Sequence, residues 1–339
     1  MKTLYYPAYN ELLLKELPEP AIAEDEVLVK VSACGICGSE LESFKTKSPR
    51  RFPPLIMGHE FCGIVERTGA SVTGWKQGDT AVSNSVVSCG ECERCKEGKS
   101  NLCASRQIFG MHRNGAFGAY VNVPASSLIA MPAGTDSRQA CLTEPLANGV
   151  HLVRLTSHLD IKNVLVIGAG PIGLAALQAF NVLREARVIV SDIRPERLAV
   201  AKSIGAGDVI NPAEEDIFNV LPQMFDDGTV DLVIDAVGSA QTNHIGLEIT
   251  KPGGTLLIIG LHNNSKSLFS YDIVLSEKTV MGSYAATQQD MEDALVLIAE
   301  QKVDMASWVH YYSLEQGKDA FMDMLEARGN HIKSVIVFE

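Results

Sequence analysis

The 339-residue chain has no long apolar run. Its start, MKTLYYPAYNELLLKELPEP, holds no stretch of signal-peptide length. Its most apolar segment, VLVIGAGPIGLAALQAF, is short for a bilayer span and is interrupted by glycines. A membrane role is therefore not expected, and the expected compartment is the cytoplasm. Positive charge is in deficit: 29 Lys and Arg stand against 41 Asp and Glu, a net charge of −12, which argues against nucleic acid as the main partner. Internal repeats and low-complexity segments are missing too. What remains is a globular chain of roughly two domains, with 46% hydrophobic residues to fill its cores.

Cysteine, by contrast, is plentiful. Four of the eight lie in SCGECERCKEGKSNLC, as Cys89, Cys92, Cys95 and Cys103. In a reducing compartment such clusters bind metal more often than they pair. Thiolates two residues apart chelate one tetrahedral ion, because a tight turn brings both sulfurs to the same side. An iron–sulfur site of the bacterial ferredoxin kind wants its fourth cysteine after three residues and before a proline. Here it follows seven residues and precedes Ala104. The expectation is a structural zinc lobe, closed by four thiolates and so without a position for substrate. Unligated surface thiols are the bland alternative.

The chemistry is expected elsewhere. Cys34 and Cys37 lie in SACGICGSELESF, His59 and Glu60 in LIMGHEFCGIVERTG, and Glu144 in QACLTEPLANGVH. A catalytic zinc takes three protein ligands and keeps one exchangeable position, and a Cys, a His and a Glu from separate loops can supply that. Spacing alone does not decide it, since a His beside a Glu is more often a satisfied pair.

The second half carries a stronger pattern. In NVLVIGAGPIGLAALQAF an apolar strand, Val164 to Ile167, runs into G-x-G-x-x-G at Gly168, Gly170 and Gly173, and then into a helical apolar pattern. A second strand, ARVIVSD, ends at Asp192. Between a strand and a helix, with an acid about twenty residues on, the motif predicts a dinucleotide site. The glycines allow a tight turn and close approach to a pyrophosphate, and the helix N-terminus supplies free N–H groups. Pro171, Ile172 and Arg197 complete the candidate cofactor set. Asp192 suits the ribose diol and opposes a 2′-phosphate, which favours NAD over NADP; Arg194 and Arg197 weaken that preference slightly. Apolar strands (DVI, VDLVIDAVG, GGTLLIIGL) then alternate with helical stretches (RPERLAVAKSIGA, QTNHIGLEIT), which predicts a doubly wound parallel sheet. The first 145 or so residues read instead as an irregular β-rich domain. The tail, with two amphipathic helices (MEDALVLIAEQ, EQGKDAFMDMLEA) and the strand KSVIVF, is expected to pack back on it.

Together these stretches resemble the zinc-dependent medium-chain dehydrogenase/reductases, the alcohol dehydrogenase-like superfamily, over essentially the whole length. The motifs fall in order: CGICGSE, GHEFCGIVERTG as G-H-E-x2-G-x5-G, Gly78–Asp79, the four-cysteine lobe, TEPLA and VIGAGPIG. Glu144 and the Gly-Ser after Cys37 are most similar to the sorbitol and polyol dehydrogenase branch. The resemblance implies an α/β chain, with a GroES-like catalytic domain at 1–147 and 283–339 and a Rossmann NAD-binding domain at 148–282. It implies two zinc ions per chain, one catalytic and one structural, and NAD as cofactor. The implied substrate is a small polyol or sugar-derived alcohol. The implied assembly is a homodimer or homotetramer, often through an edge strand of the nucleotide domain, GGTLLIIGL or the strand near KTVMGS. Cys37 would be the thiolate ligand and His59 the imidazole ligand, with Glu60 and Glu144 in the two positions that supply the remaining carboxylate, directly or through water. Cys34 is not expected to ligate. Ser39 would take the substrate's proton as hydride leaves for the nicotinamide. Cys89, Cys92, Cys95 and Cys103 match the structural lobe.

Three departures from the family pattern bear on function. An Asp that usually orients the ligating histidine is Glu40 here, one methylene longer, and its reach is in question. A histidine five residues after the catalytic cysteine is Glu42, leaving either Glu42 or water as the outer end of the proton path. SNSVVSC lacks the histidine of threonine dehydrogenases, which counts against threonine. Cys62 and Cys141 are expected in the core, and His112 and His151 as structural rather than cleft residues. Tyr284, Phe109 and Met57 are candidate pocket walls, and Lys45, Lys47, Arg50, Arg51 and Arg113 candidate handles for a phosphate or carboxylate. The leading expectation is a polyol, sugar-alcohol or sugar-acid dehydrogenase. The alternatives are the same chemistry on a sugar phosphate, amino alcohol or diol, or a catalytically silent nucleotide-binding protein.

Overall fold

The run EVLVKVSACG forms one long strand, β1 (Glu26–Gly35), because β-branched residues suit a pleated surface and Lys30 and Ser32 interrupt an otherwise buried face. This computed structural model describes residues 1–262, 270–326 and 331–339. Helix α1 (Gly38–Thr46) follows at once, with Cys37 at its N-cap position. Then come β2 (Glu60–Thr68), β3 (Thr80–Ser83), β4 (Tyr120–Pro124), β5 (Leu128–Ala130) and α2 (Thr143–Leu155).

The next stretch alternates strand and helix: β6 (Asn163–Ile167), α3 (Pro171–Leu183), β7 (Arg187–Ser191), α4 (Pro195–Ser203), β8 (Asp208–Ile210), α5 (Ile217–Met224), β9 (Val230–Asp235), α6 (Ala240–Ile249) and β10 (Thr250–Ile258), then a short helical segment, Ser270–Val274, and β11 (Thr279–Gly282). The chain closes with α7 (Gln288–Ala299), β12 (Val309–Ser313), α8 (Gly317–Leu325) and β13 (Lys333–Val337).

Two units emerge: Met1–Ala147 with Ala286–Glu339, and Asn148–Ala285. In the first, a sheet runs β5-β3-β2-β1-β13-β12, with β4 also on β1. The tail enters this sheet directly: β13 pairs antiparallel with β1, Val335 opposite Gly35 and Ile336 opposite Cys34. Its core gathers Leu4, Val29, Met57, Phe61, Phe109, Phe117, Phe321 and Ile336, all nearly sealed from solvent. Strand β12 carries no signature in the sequence, because it is an edge strand with only its first residue buried.

The second unit holds six parallel strands in the order β8-β7-β6-β9-β10-β11. Counted from β6 this is 3-2-1-4-5-6, the doubly wound order that places a nucleotide at the carboxyl ends of the central strands. Strand β6 is buried along all five residues, as expected for a strand covered on both faces. Gly168 ends it with φ +100°, and a Cβ on Gly173 would come within 1.7 Å of the Gly168 carbonyl oxygen. The first position needs a left-handed backbone and the second needs empty space. Helix α5 keeps Pro222 inside it and gives little signal in the sequence.

Candidate active site

Side chains from two distant segments of the first unit converge. One ligand atom each of Cys37, His59 and Glu60 lie within 4.8 Å of one another. Cys37 occupies the N-cap position of α1. His59 and Glu60 lie where the chain enters β2. Glu144, in the first turn of α2, is not part of that triple. It is buried and accepts a hydrogen bond from the Ser85 hydroxyl at 3.1 Å. Burial pushes its pKa up, and the Glu60 charge adds to this against the pull of His59.

The reach of Glu40 is answered by geometry. Its Oε1 faces His59 Nδ1 at 2.9 Å and accepts the Gly58 N–H at 2.8 Å, while Oε2 accepts the Cys37 N–H at 3.1 Å. One carboxylate thus spans both ligand-bearing segments. With Nδ1 donating to Glu40, Nε2 is the nitrogen left for a metal. The carboxylate lies wholly inside the protein, at 0% exposure. Burial works against that charge, but His59 and Arg51 outweigh it and bring the pKa down to about 2. His59 is itself held well above the ordinary imidazole range: burial opposes its charge, and Glu40 and Cys37 overcome it.

Two residues the sequence offers as anion handles are already committed. Arg51 is fully buried, and its Nη1 donates to the Ser39 carbonyl at 2.7 Å and to Ser43 Oγ at 2.9 Å. It holds the first turn of α1 and faces Glu40. Arg113 pairs with Glu26, donates to the Asn122 carbonyl at 3.1 Å and stacks over Phe109. Of the others, Lys45 and Lys47 are exposed, and Arg50 lies 3.8 Å from Glu42, the candidate outer proton acceptor. Phe109 and Met57 are core residues at 0% exposure rather than walls of a pocket. Cys34, Cys62 and Cys141 are buried thiols whose pKa burial raises. Exposed His112 accepts the Ile108 N–H in its own turn. His151 is buried in α2, and Tyr284 is half-buried just after β11.

Ser39 is half-buried on α1, with its hydroxyl 3.4 Å from Cys37 Sγ. That places a proton-carrying group beside the ligand triple. A residue the sequence does not single out also reaches it. Lys333 of β13 is buried, ion-paired with Glu60 Oε2, and donates to the Ile36 carbonyl at 2.9 Å. Burial opposes its charge, and Glu60 and Cys37 more than restore it, so the pKa lies above the usual lysine value.

The second cluster fits an ion by its dimensions. Cys92 and Cys95 sulfurs are 3.5 Å apart, Cys103 and Cys89 3.5 Å, and Cys89 and Cys95 3.9 Å. A tetrahedron with metal–sulfur bonds of about 2.3 Å has edges of about 3.8 Å. The thiols are free, and backbone N–H groups of Glu91 and Cys92 draw Cys89 down to about 6. Both donor sets therefore suit zinc: four sulfurs in one, and mixed sulfur, nitrogen and oxygen in the other.

In the second unit a cavity of about 970 Å³ opens at the ends of β6 and β7. Gly168, Asp192, Glu215, Asp216, Ser239 and His262 are among its walls, and no described lysine or arginine is. Asp192 Oδ2 accepts the Ala169 N–H at 2.7 Å, and Oδ1 accepts the Arg194 N–H at 2.9 Å, which fixes the acid beside the glycine turn. Gly170 and Pro171 begin α3, with Ile172 in its first turn. Arg197 Nη1 stands 4.0 Å from Asp192 Oδ2, and Arg194 Nε is taken up by Glu196 at 2.8 Å.

Comparison with known proteins adds relatives to this geometry. Residues 23–133 match the alcohol dehydrogenase GroES-like domain, and residues 171–300 match the zinc-binding dehydrogenase family. The chain is 34% identical over 336 residues to a D-arabitol-phosphate dehydrogenase of Enterococcus avium, covering 97% of this chain and 95% of that one. It is 33% identical over 313 residues to a sorbitol dehydrogenase of Halalkalibacterium halodurans, with 91% of each covered. An L-threonine 3-dehydrogenase of Bacillus velezensis shows 35% identity over 273 residues, 79% of each. A crystal structure of a zinc-binding dehydrogenase from Sinorhizobium meliloti, bound to NADP, superposes with a TM-score of 0.91 at 28% identity and covers 99% of both chains.

Proposed function

The chain belongs to the zinc-dependent medium-chain alcohol dehydrogenases, and from that membership we propose that it interconverts a secondary alcohol of a polyol, sugar alcohol or sugar acid with the matching ketone, using NAD(H). The observation that carries this reading is the convergence of Cys37, His59 and Glu60 with the Ser39 hydroxyl beside the Cys37 sulfur. Cys37, His59 and a carboxylate, Glu60 or Glu144, would hold the catalytic zinc, and Cys89, Cys92, Cys95 and Cys103 the structural one. Bound there, zinc acts as a Lewis acid that lowers the pKa of a substrate hydroxyl. Ser39 accepts the released proton and passes it outward, towards Glu42 or solvent. Glu40 fixes the His59 ring, and Arg51 fixes the turn that carries Ser39. Gly168, Gly170 and Gly173 would anchor the cofactor, whose nicotinamide would supply the hydride acceptor.

NAD rather than NADP is supported by the cavity walls. Asp192, Glu215 and Asp216 are acids, and Arg194 is engaged by Glu196. A 2′-phosphate brought there meets these negative charges, with Arg197, 4.0 Å from Asp192, as a cation beside them. A second reading, a sugar phosphate as substrate, is favoured by the D-arabitol-phosphate dehydrogenase relative. It would draw on Arg50, Lys45 or Lys47, the handles not consumed elsewhere in the fold. For assembly, the exposed edge strand β11, with Tyr271 at 79% and Leu275 at 81% exposure nearby, suits a homodimer that extends the sheet; sedimentation of the purified chain as a monomer would remove that reading. No helix among the described residues is long and apolar enough to cross a membrane.

The test is reduced-cofactor formation over a panel of polyols, sugar acids, sugar phosphates, amino alcohols and simple alcohols. NAD and NADP are run in parallel, with and without a zinc chelator. Chelator-sensitive NADH formation from polyols or sugar acids is the expected result. Turnover of sugar phosphates alone would transfer the assignment to the second reading, and silence in a chain with only the four-cysteine site filled would favour a non-catalytic protein. In the same assay Asp192→Ala should raise the NADP-to-NAD preference by about tenfold, or about 1.4 kcal/mol, slightly more than a unit charge pair at about 4 Å is worth in bulk water. An unchanged ratio would place the choice on Arg194 or Arg197.

A further inference from the structure

Lys333 does a job in the metal site that nothing in its own neighbourhood of the chain announces. It arrives on β13, nearly 300 residues after the segments it touches, and it is almost wholly buried, at 1% exposure. Its ammonium lies against Glu60 Oε2 and donates to the carbonyl of Ile36, the residue before Cys37. The pocket for this pair is made by Gly35. A Cβ there would stand 2.2 Å from Glu60 Oε2 and 3.2 Å from Lys333 Cε. The register β13–β1–β2 sets all three side by side: Gly35 is opposite Glu60 on one side and Val335 on the other.

We propose that Lys333 is a positioning residue of the catalytic metal centre: it holds one oxygen of the Glu60 carboxylate, so that Glu60 cannot close on the metal with its full charge and the substrate's position stays open. This rests on reading Cys37, His59 and Glu60 as that centre. The argument is one of charge. Buried ions persist only when compensated. Glu40 faces Arg51, and Glu60 faces Lys333. Cys37 and Glu144 are then left to balance a dication. Remove the ammonium, and the Glu60 carboxylate has the metal as its remaining nearby cation. The ion is then bound more tightly and made less acidic towards substrate.

The test is zinc release from the loaded enzyme into a colorimetric chelator. The release phase that belongs to this centre is the one that Cys37→Ala removes. In Lys333→Met that phase should slow by about tenfold, as expected when the carboxylate's interaction with the ion changes by about 1.4 kcal/mol, and kcat should fall. Placing K333M in a Glu60→Gln background should leave the phase within about twofold of E60Q alone, because contacting residues that act as a unit are not additive. A purely structural lysine would lower the thermal midpoint and leave the phase unchanged or faster; that result overturns the proposal. Should K333M not fold, the E60Q pair decides alone: a large effect of Lys333 without the Glu60 carboxylate overturns it equally. If no phase depends on Cys37, the metal-centre reading itself fails, and this inference with it.

Discussion

Replacing Cys37 with Ser should abolish turnover while leaving NAD binding intact. A serine hydroxyl is a poor ligand at neutral pH, since metals take thiolate and imidazole where an alcohol must first lose its proton. Cys37 also occupies the N-cap position of α1, and Ser39 Oγ lies 3.4 Å from its sulfur. His59 and Glu60 alone then face an ion without the sulfur. Charge stabilisation by a bound metal is worth several kcal/mol and 1.4 kcal/mol is a factor of ten, so a loss of about a thousandfold in kcat is expected. Zinc content should fall from about two ions to about one per chain. NADH affinity should stay within about twofold, because every residue lining the nucleotide cavity belongs to the other unit. Turnover within tenfold of the parent would sink the assignment of this centre. Loss of NADH binding together with activity would indicate damage to the fold rather than to chemistry.

What the sequence reveals here depends on whether a function needs neighbours in the chain or neighbours in space. The glycine turn is local: Gly168 needs its positive φ and Gly173 its missing Cβ within six residues, so the motif is legible as it stands. The apolar strands β6, β7, β9 and β10 are legible for the same reason, since covering by helices on both faces removes polar alternation. Edge strands lose that signal, and β12 and β11 carry little of it. Metal sites divide the same way. Cys89, Cys92, Cys95 and Cys103 fall within fifteen residues. Cys37, His59 and Glu60 come together only because β1 and β2 pair with Cys34 opposite Phe61 and Gly35 opposite Glu60.

Charged side chains are the hardest to place from sequence. Arg51 and Arg113 look like exposed handles in a list of basic residues. In the structure Arg51 is sealed among Ser39, Ser43 and Gly110, and Arg113 is held by Glu26. Lys333 looks like the polar start of a last strand and proves to be a buried partner of Glu60. The common cause is that a guanidinium or ammonium is buried only where distant parts of the chain bring compensating groups, and a linear reading cannot count those. The length of Glu40 is a similar case. Its reach shows only in space, where one oxygen meets both the Gly58 N–H and His59 Nδ1.

Cys95→Ser should damage stability far more than chemistry, and the reason lies in how little else holds the lobe. Between Ser88 and Cys103 the regular structure amounts to one helical turn, Glu93–Lys96, and one 3-10 turn, Ser100–Leu102. The flanking strand pair is two residues long on each side. Only Asn101 and Cys103 are buried there, and Leu102 is 46% exposed. A segment with so little apolar burial cannot offset the entropy of ordering its backbone. The four sulfurs must do so through the ion, whose binding is worth about 10 kcal/mol or more in small lobes of this kind. Serine at position 95 removes one ligand from a closed set of four, and also the sulfur that lies within 4 Å of both Cys89 and Cys92. The expected result is one zinc fewer per chain, a lobe open to limited proteolysis between residues 88 and 103, and a lower thermal midpoint. The kcat of the protein that remains folded should lie within a few-fold of the parent, since the ligand triple draws nothing from this segment. An unchanged midpoint with the full zinc count would mean that three thiolates and a water suffice. An unchanged midpoint with the zinc lost would mean that the turn holds itself, and the structural role assigned to this cluster would have to be withdrawn.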